Sequence, residues 1–362
     1  MSSDKRVVVA MSGGVDSSVA AYLLKEQGYQ VIGITMKIWP EDANYINSES
    51  GCCSLTAAYD ARRVAEQLDI PYYVLNFKKD FKEKVIDYFI QEYTKGRTPN
   101  PCIACNKYIK FDALLKKTKQ LGASFLATGH YAKIEFDGKR ERYIIRKAED
   151  LKKDQSYTLY NLTQQQLKHI LMPLGNYTKD EVRSIAKKIG LKVFNKPDSQ
   201  EICFIPNNDY KEYLKKHVPS KIKPGPVLDN RGNVVGRHEG ISFYTIGQRR
   251  GLGISLGKPV YVKKIDPDRN AIVVGFEAEV YEKGLLAEEI NLIAVEKIRG
   301  KMLVNSKIRY NAKEVASYIE QVSEDKIKVT FKKPQKGVAP GQSVVFYNKD
   351  VVVGGGIIKA SL

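Results

Sequence analysis

The sequence predicts an α/β chain: an N-terminal doubly wound parallel sheet followed by a small central β-rich module and a C-terminal β-barrel. Three observations carry this prediction. From residue 6 to about 136, apolar strand-like runs alternate with helical patterns, as in strands joined by helical crossovers. A pair of glycines, Gly13-Gly14, stands between the first strand and the first helix. Past Cys203 helical periodicity nearly vanishes, and Pro206, Pro219, Pro224, Pro226, Asp229-Asn230 and Gly232-Asn233 punctuate short β-like segments.

Each element follows from its residues. Val7-Val8-Val9-Ala10-Met11 is an apolar run fit for a buried parallel strand, and Val19-Ala20-Ala21-Tyr22-Leu23-Leu24 continues into a helix. Strand-like runs at 31–35, 72–76 and 125–128 alternate with helical stretches at 55–68, 81–93 and 111–121. Helical stretches at 164–171 and 179–189, the latter capped by Gly190, extend the first domain. Runs at 260–262, 271–274, 326–331 and 343–347 read as strands of the β-rich part. The expected domains are 1–205, 206–277 and 278–362.

In a doubly wound sheet the ligand crevice lies at the carboxyl ends of the strands. The loop at 12–18, the residues after Thr35, and Gly129-His130-Tyr131 all fall at such ends. Residues 12–18 read Ser-Gly-Gly-Val-Asp-Ser-Ser. A glycine turn entering a helix aims backbone N–H groups and the positive helix end at one small volume, which suits a phosphate. The loop lacks the Gly-Lys-Ser/Thr ending of a γ-phosphate loop, and Gly-x-Gly-x-x-Gly is absent. Ser12, Ser17 and Ser18 add hydroxyl donors, and Asp16 offers a carboxylate for Mg²⁺.

With 59 Lys and Arg against 41 Asp and Glu, the net charge of the 362-residue chain is +18, which favours polyanionic partners. No run of eighteen apolar residues exists, and the first residues lead directly into a core strand. A soluble, cytoplasmic protein is expected. Five clustered cysteines, Cys52, Cys53, Cys102, Cys105 and Cys203, fit reactive or metal-binding thiols better than a secreted disulfide framework. The adjacent Cys52-Cys53 reads as a structural pair at a helix entry.

The segment Thr98-Pro99-Asn100-Pro101-Cys102-Ile103-Ala104-Cys105-Asn106-Lys107 excludes helix before Cys102 and predicts an extended loop that becomes helical near Asn106. Thiols at a helix entry beside Lys107 and Lys110 gain thiolate character. No second Cys-x-x-Cys or His pair stands at zinc spacing. Cys203 lies between Ile202 and Phe204-Ile205, a pattern read as a half-buried strand.

Seven motifs in order, Ser-Gly-Gly-Val-Asp-Ser, Gly96-Arg97-Thr98-Pro99-Asn100-Pro101, Cys105-Asn106-Lys107, Ala127-Thr128-Gly129-His130-Tyr131, Lys153-Asp154-Gln155-Ser156-Tyr157, Ile202-Cys203-Phe204-Ile205 and residues 245–253, together resemble the signature of the tRNA-specific 2-thiouridylase (MnmA) family. These are enzymes of the PP-loop ATP pyrophosphatase superfamily, with an adenine nucleotide α-hydrolase-like fold. The resemblance implies ATP-dependent thiolation at C2 of uridine 34 in tRNAs for Lys, Glu and Gln. It implies ATP contacts at Ala10, Met11, Ser12, Gly13, Gly14, Val15, Asp16 and Ser17, with Met36 and Gly129 toward the adenine and ribose. It gives Cys203 the persulfide, received from a sulfur-relay or cysteine desulfurase donor. Cys105 is then the nucleophile, either attacking C2 or releasing hydrosulfide by forming a disulfide with Cys203. tRNA contacts are implied at Asn100, Pro101, Cys102, His130, Lys153, Asp154, Gln155, Arg309, Tyr310 and Gln342; Gln248-Arg249-Arg250-Gly251 adds a basic turn.

One position departs from the pattern, since many members carry Asp where this chain has Cys102, and a thiol cannot act as that carboxylate. Cys102, Cys105 and Cys203 form a set able to hold a [4Fe-4S] cluster by three thiolates, an alternative to the persulfide route. Another adenylating PP-loop ligase would lack the cysteine requirement and the basic β-rich tail. A tRNA-binding module without catalysis would need neither Asp16 nor Cys105 and Cys203.

Overall fold

A computed structural model describes residues 5–38, 55–198 and 202–362. Cys52 and Cys53 lie outside the described residues. The chain divides into two compact units: one of residues 1–85, 101–208 and 350–352, the other of 86–100, 209–349 and 353–362.

The first unit is built on a parallel sheet. Its strands are β1 (Arg6–Ala10), β2 (Gln30–Lys37), β3 (Tyr72–Asn76), β4 (Phe125–Ala127) and, after an antiparallel hairpin of β5 (Lys133–Asp137) and β6 (Arg142–Arg146), β7 (Ile170–Leu171). The order is β3-β2-β1-β4-β7, and every neighbouring pair is parallel. The order reverses at β1, which places the crevice between the ends of β1 and β4. Val7, Val8 and Val9 are fully buried, as a central parallel strand covered on both faces requires. Helices α1 (Val15–Glu26) and α2 (Leu55–Gln67) follow β1 and β2. Val19, Ala20, Leu24, Ala61, Val64 and Ala65 join the strand residues in one core.

Helix α3 (Pro101–Ala104) continues as a widened, π-type helical stretch, Cys105–Leu114, and an α-helical turn, Leu115–Gln120. The expected loop before Asn106 is thus already helical at Cys102, because proline is well tolerated in the first helical turn. Helix α4 (Lys179–Lys188) opens on a reciprocal cap: Thr178 Oγ1 accepts from Glu181 N, and the Glu181 carboxylate accepts from Thr178 N at 2.7 Å. The strand expected around Cys203 is instead a turn, closed by the Ile205 N–H on the Ile202 carbonyl at 3.0 Å. Phe204 is buried edge-on against Phe81, with centroids 5.8 Å apart. That aromatic anchor outweighs the β propensity of its neighbours.

The second unit contains the helix Asp87–Thr94, helix α5 (Tyr210–His217) and two β assemblies. Tyr93 stacks on Tyr210 at 5.1 Å, and burial, then neighbouring Tyr244, pushes the Tyr210 phenol up to about 12. The strands β8 (Gly225–Leu228), β9 (Val234–His238), β10 (Val260–Asp266) and β11 (Ala271–Phe276) form a sheet ordered β10-β11-β8-β9. The strands β12 (Tyr281–Leu292), β13 (Lys301–Lys307), β14 (Val315–Ser323), β15 (Lys326–Lys336), β16 (Ser343–Asn348) and β17 (Val351–Ser361) follow in the order β12-β15-β14-β13-β16-β17. β12 also pairs with β17, which closes a six-stranded barrel. Along β15, Ile327, Val329 and Phe331 point inward and alternate with exposed Lys328, Thr330 and Lys332, the period of a strand with one wet face.

Candidate active site

The phosphate loop is shaped by its glycines. Gly13 has φ +66°, and a Cβ there would lie 2.1 Å from the Ala57 carbonyl oxygen, so only glycine fits. The loop then binds itself: Ser12 N donates to Ser17 Oγ at 3.1 Å, and Ser18 Oγ donates to the Gly14 carbonyl at 2.8 Å. Ser17 Oγ donates to the same carbonyl at 3.3 Å. These hydroxyls hold the turn, and the backbone N–H groups at the start of α1 are left to face a ligand. Val15 is buried beneath the loop, while Ala10 at the end of β1 and Met11 after it bring the chain in.

The end of β4 is seated on this turn. A Cβ on Gly129 would meet Ser17 N at 2.7 Å and the Asp16 carbonyl carbon at 2.8 Å. Glycine at 129 therefore sets how closely the β4 loop approaches the first turn of α1. Met36, 6% exposed near the end of β2, belongs to the core at the same sheet edge. His130 is buried, with Nδ1 2.7 Å from Thr128 Oγ1 and its ring 5.7 Å from Phe111. Burial, then the charge of Lys110, holds its pKa well below the usual histidine value, so the imidazole is neutral at pH 7.

Asp16 is the hub of the site. Tyr131 Oη donates to its Oδ1 at 2.8 Å, and Lys179 Nζ donates to Oδ1 and Oδ2 at 2.7 and 2.8 Å. Burial, then the Asp16 charge, drives the Tyr131 phenol far above its ordinary value, so it stays a donor. Lys179 also reaches Asp198 Oδ1 at 2.7 Å, and Lys153 Nζ reaches Asp198 Oδ2 at 2.6 Å. Burial acts to raise the Asp198 pKa, but the bonds from Lys153 and Lys179 outweigh it and hold it below the usual carboxylate value. Lys196 Nζ bonds the Gly13 carbonyl at 3.2 Å and Asp60 at 2.7 Å. Tyr131 lies in the strand-end segment that the sequence places at the crevice, whereas Lys179, Asp198 and Lys196 carry no such signal. Lys179 follows a helix cap among acidic residues, a pattern that reads as an ordinary solvated first turn.

The Lys153-Asp154-Gln155 segment packs into the same unit. Asp154 faces inward, accepting from Ala148 N at 3.0 Å and from Ser156 Oγ at 2.8 Å. Gln155 Oε1 accepts from Tyr131 N at 3.0 Å, and Gln155 N donates to the Tyr131 carbonyl at 2.8 Å. Asn106, one residue past Cys105, donates to the Thr158 carbonyl at 3.1 Å.

Cys102 is exposed, while Cys105 and Cys203 are half-buried, and no disulfide joins them. The Cys105–Cys203 disulfide implied by the resemblance is therefore not part of this structure. Among the described residues no three His, Cys, Asp or Glu side chains converge to hold a metal. The iron–sulfur cluster weighed for Cys102, Cys105 and Cys203 thus finds no ready-made site among the described residues. Asp16, expected as a Mg²⁺ ligand, has both oxygens on an ammonium.

A second constellation forms in the other unit. Arg309 donates one terminal nitrogen to the carbonyls of Ile246 and Gly337, at 2.7 and 2.6 Å. Tyr310, 37% exposed, lies beneath Lys307, whose Nζ is 5.5 Å from its ring centroid. Gln342 Nε2 donates to the Thr98 carbonyl at 2.8 Å, and Thr98 N donates to the Pro340 carbonyl at 2.8 Å. Thr98 Oγ1 meets Thr245 Oγ1 at 3.2 Å. The segment ending at Asn100, the 245–253 motif, Arg309 and Gln342 are thereby held together; Pro101 and Cys102 belong to the first unit.

Residues 5–207 match the family described as tRNA methyl transferase HUP domain, residues 211–276 the tRNA methyl transferase PRC-barrel domain, and residues 282–358 the aminomethyltransferase beta-barrel domain. The chain is 57% identical over 359 residues to the tRNA-specific 2-thiouridylase MnmA of Clostridium perfringens, covering 99% of both chains. It is 58% identical over 357 residues to that of Clostridium acetobutylicum, covering 98% of this chain and 100% of the relative. With that of Clostridioides difficile it shares 56% over 359 residues, 99% of each.

Proposed function

Because the chain belongs to the tRNA-specific 2-thiouridylase family, we propose that it activates C2 of uridine 34 in tRNAs for Lys, Glu and Gln with ATP and replaces the C2 oxygen with sulfur. The observation that carries this reading is the 57% identity running through 99% of the chain. It is an ATP-using tRNA sulfurtransferase. We assign ATP and sulfur chemistry to residues 1–205, a linking role to 206–277 and further tRNA contacts to 278–362, in the cytoplasm.

The C2 oxygen attacks the α-phosphorus of ATP, and the bond to the β-phosphate oxygen breaks as pyrophosphate leaves. N–H groups of the glycine loop at the α1 N-terminus receive the charge that develops there. Lys179 already neutralises Asp16, so Mg²⁺ would reach the site on the nucleotide's own phosphates. Cys203 carries a persulfide delivered by a sulfur-relay donor. The Cys105 thiolate attacks the Cys203 sulfur, and the electrons of the breaking S–S bond leave with the terminal sulfur as hydrosulfide. Hydrosulfide attacks C2 and displaces AMP. A dithiol reductant then returns the Cys105–Cys203 disulfide to two thiols. Neutral, buried His130 serves this cycle as a hydrogen-bonding wall and not as a cation.

The test is thiolation of purified tRNA with ATP, Mg²⁺ and a persulfide donor, read as 2-thiouridine by nucleoside mass spectrometry. Product at uridine 34 that disappears without ATP supports the reading. ATP-independent product, or none with any of the three tRNAs, overturns it.

A further inference from the structure

The ammonium of Lys179 is shared between two carboxylates that belong to different parts of the reaction. It sits 2.7 and 2.8 Å from the oxygens of Asp16 in the phosphate loop and 2.7 Å from Asp198, five residues before Cys203. Its side chain is only 8% exposed, so this charge depends on both partners for its solvation. Asp198 has other cations at hand. Lys153 holds its second oxygen at 2.6 Å, and Arg183, one turn after Lys179 on α4, has a terminal nitrogen 4.0 Å from the oxygen that Lys179 holds. Arg183 Nε is buried with no hydrogen-bond partner, so this guanidinium has a donor not yet used.

We infer that Lys179 is a positioning residue that reports the state of the phosphate loop to the chain carrying Cys203, by passing Asp198 to Arg183 when a pyrophosphate group enters the loop. The inference rests on the reading of residues 10–17 as an ATP site. A polyphosphate beside Asp16 adds negative charge next to the Lys179 ammonium. The ammonium is drawn toward Asp16 and the phosphate, and its bond to Asp198 weakens. Arg183 then gains the acceptor that its buried Nε lacks. The two arrangements differ in which cation holds Asp198, and phosphate binding favours one of them; this is the physical requirement for coupling two sites. The consequence is that Cys203 becomes reactive when the nucleotide is in place, which keeps persulfide chemistry in step with activation of the base.

The experiment uses the full-length protein with inorganic pyrophosphate as the probe and reads alkylation of Cys203 by iodoacetamide, by peptide mass spectrometry. In the wild type, saturating pyrophosphate is expected to raise the Cys203 rate by about fivefold or more. Asp198→Asn lacks the tie, so its rate is high from the start and changes by less than about twofold, while by linkage it binds pyrophosphate about fivefold more tightly. Arg183→Gln removes the cation that takes over the Asp198 oxygen held by Lys179, so its rate stays low with and without pyrophosphate. A wild-type response that survives in Asp198→Asn overturns the inference, as does a wild type that binds pyrophosphate with no change at Cys203. A wild type that binds neither pyrophosphate nor ATP removes the nucleotide-site reading itself, and the inference with it.

Discussion

Gln342 donates its side-chain amide to the carbonyl of Thr98, 244 positions earlier, at 2.8 Å. The glutamine expected to touch tRNA is thus also the residue that fixes the segment leading to Asn100. Replacing it by leucine removes the donor and leaves the Thr98 carbonyl to water. Gln342→Leu is expected to lower the urea midpoint by an amount equivalent to about 1 kcal/mol and to raise the KM for tRNA. Unchanged values of both would separate Gln342 from this segment.

Arg309 holds two backbone carbonyls, those of Ile246 and Gly337. Lysine has the charge but not the planar, fixed amino group whose two hydrogens serve both carbonyls. Arg309→Lys is expected to lose about 1–3 kcal/mol of stability, seen as a lower Tm. An arginine that acted only on tRNA phosphate would leave the Tm of the free protein unmoved.

Gly129 leaves no room for a methyl group against Asp16 and Ser17. Gly129→Ala is expected to push the β4 loop off the phosphate loop, at a stability cost of about 1–3 kcal/mol. ATP affinity should fall about tenfold, since one such factor is about 1.4 kcal/mol. Equilibrium binding of ATP by calorimetry measures it, and wild-type affinity would refute the packing argument.

Cys105 and Cys203 are half-buried and carry the proposed sulfur transfer. Serine is nearly isosteric, so both variants should keep the wild-type Tm within about 0.5 kcal/mol equivalent while product formation drops below detection. The Cys203→Ser protein should in addition fail to take up labelled sulfur from a persulfide donor. Full thiolation by either variant would exclude the persulfide route through these thiols.

The pH dependence of folding has a definite sign. His130 and His238 both titrate below their ordinary value, chiefly because they are buried. Unfolded histidine titrates near pH 6.5, about the model-peptide value, so below that pH the unfolded chain binds protons that the native state refuses. Stability is full above this value and falls as the pH drops toward the native pKa values. For His130 the slope reaches about 1.4 kcal/mol per pH unit. Urea titrations at several pH values between neutrality and mild acidity should show this decline, and His130→Gln should reduce it.

Much of this arrangement was legible in the sequence because short-range chemistry dictates it. Two glycines between a valine-rich strand and a helix allow little besides a phosphate-type turn, and strand ends in a doubly wound sheet converge by topology. The illegible parts depend on long-range partners. Nothing near Lys179 announces that Asp16, 163 positions away, will take its charge. Ile202 to Ile205 alternates like a strand, yet Phe204 finds Phe81 and the chain turns. Pro101 reads as a barrier to helix, although a proline in the first turn gives up an N–H that has no helical partner anyway. Arg309 reads as a surface cation until the carbonyls it holds are known.

The pairing of β12 with β17 completes a ring of strands. Each strand of the ring has a neighbour on both sides, so no long unpaired edge is offered to another polypeptide. What this part of the molecule has left to offer a partner is its side chains and loop ends.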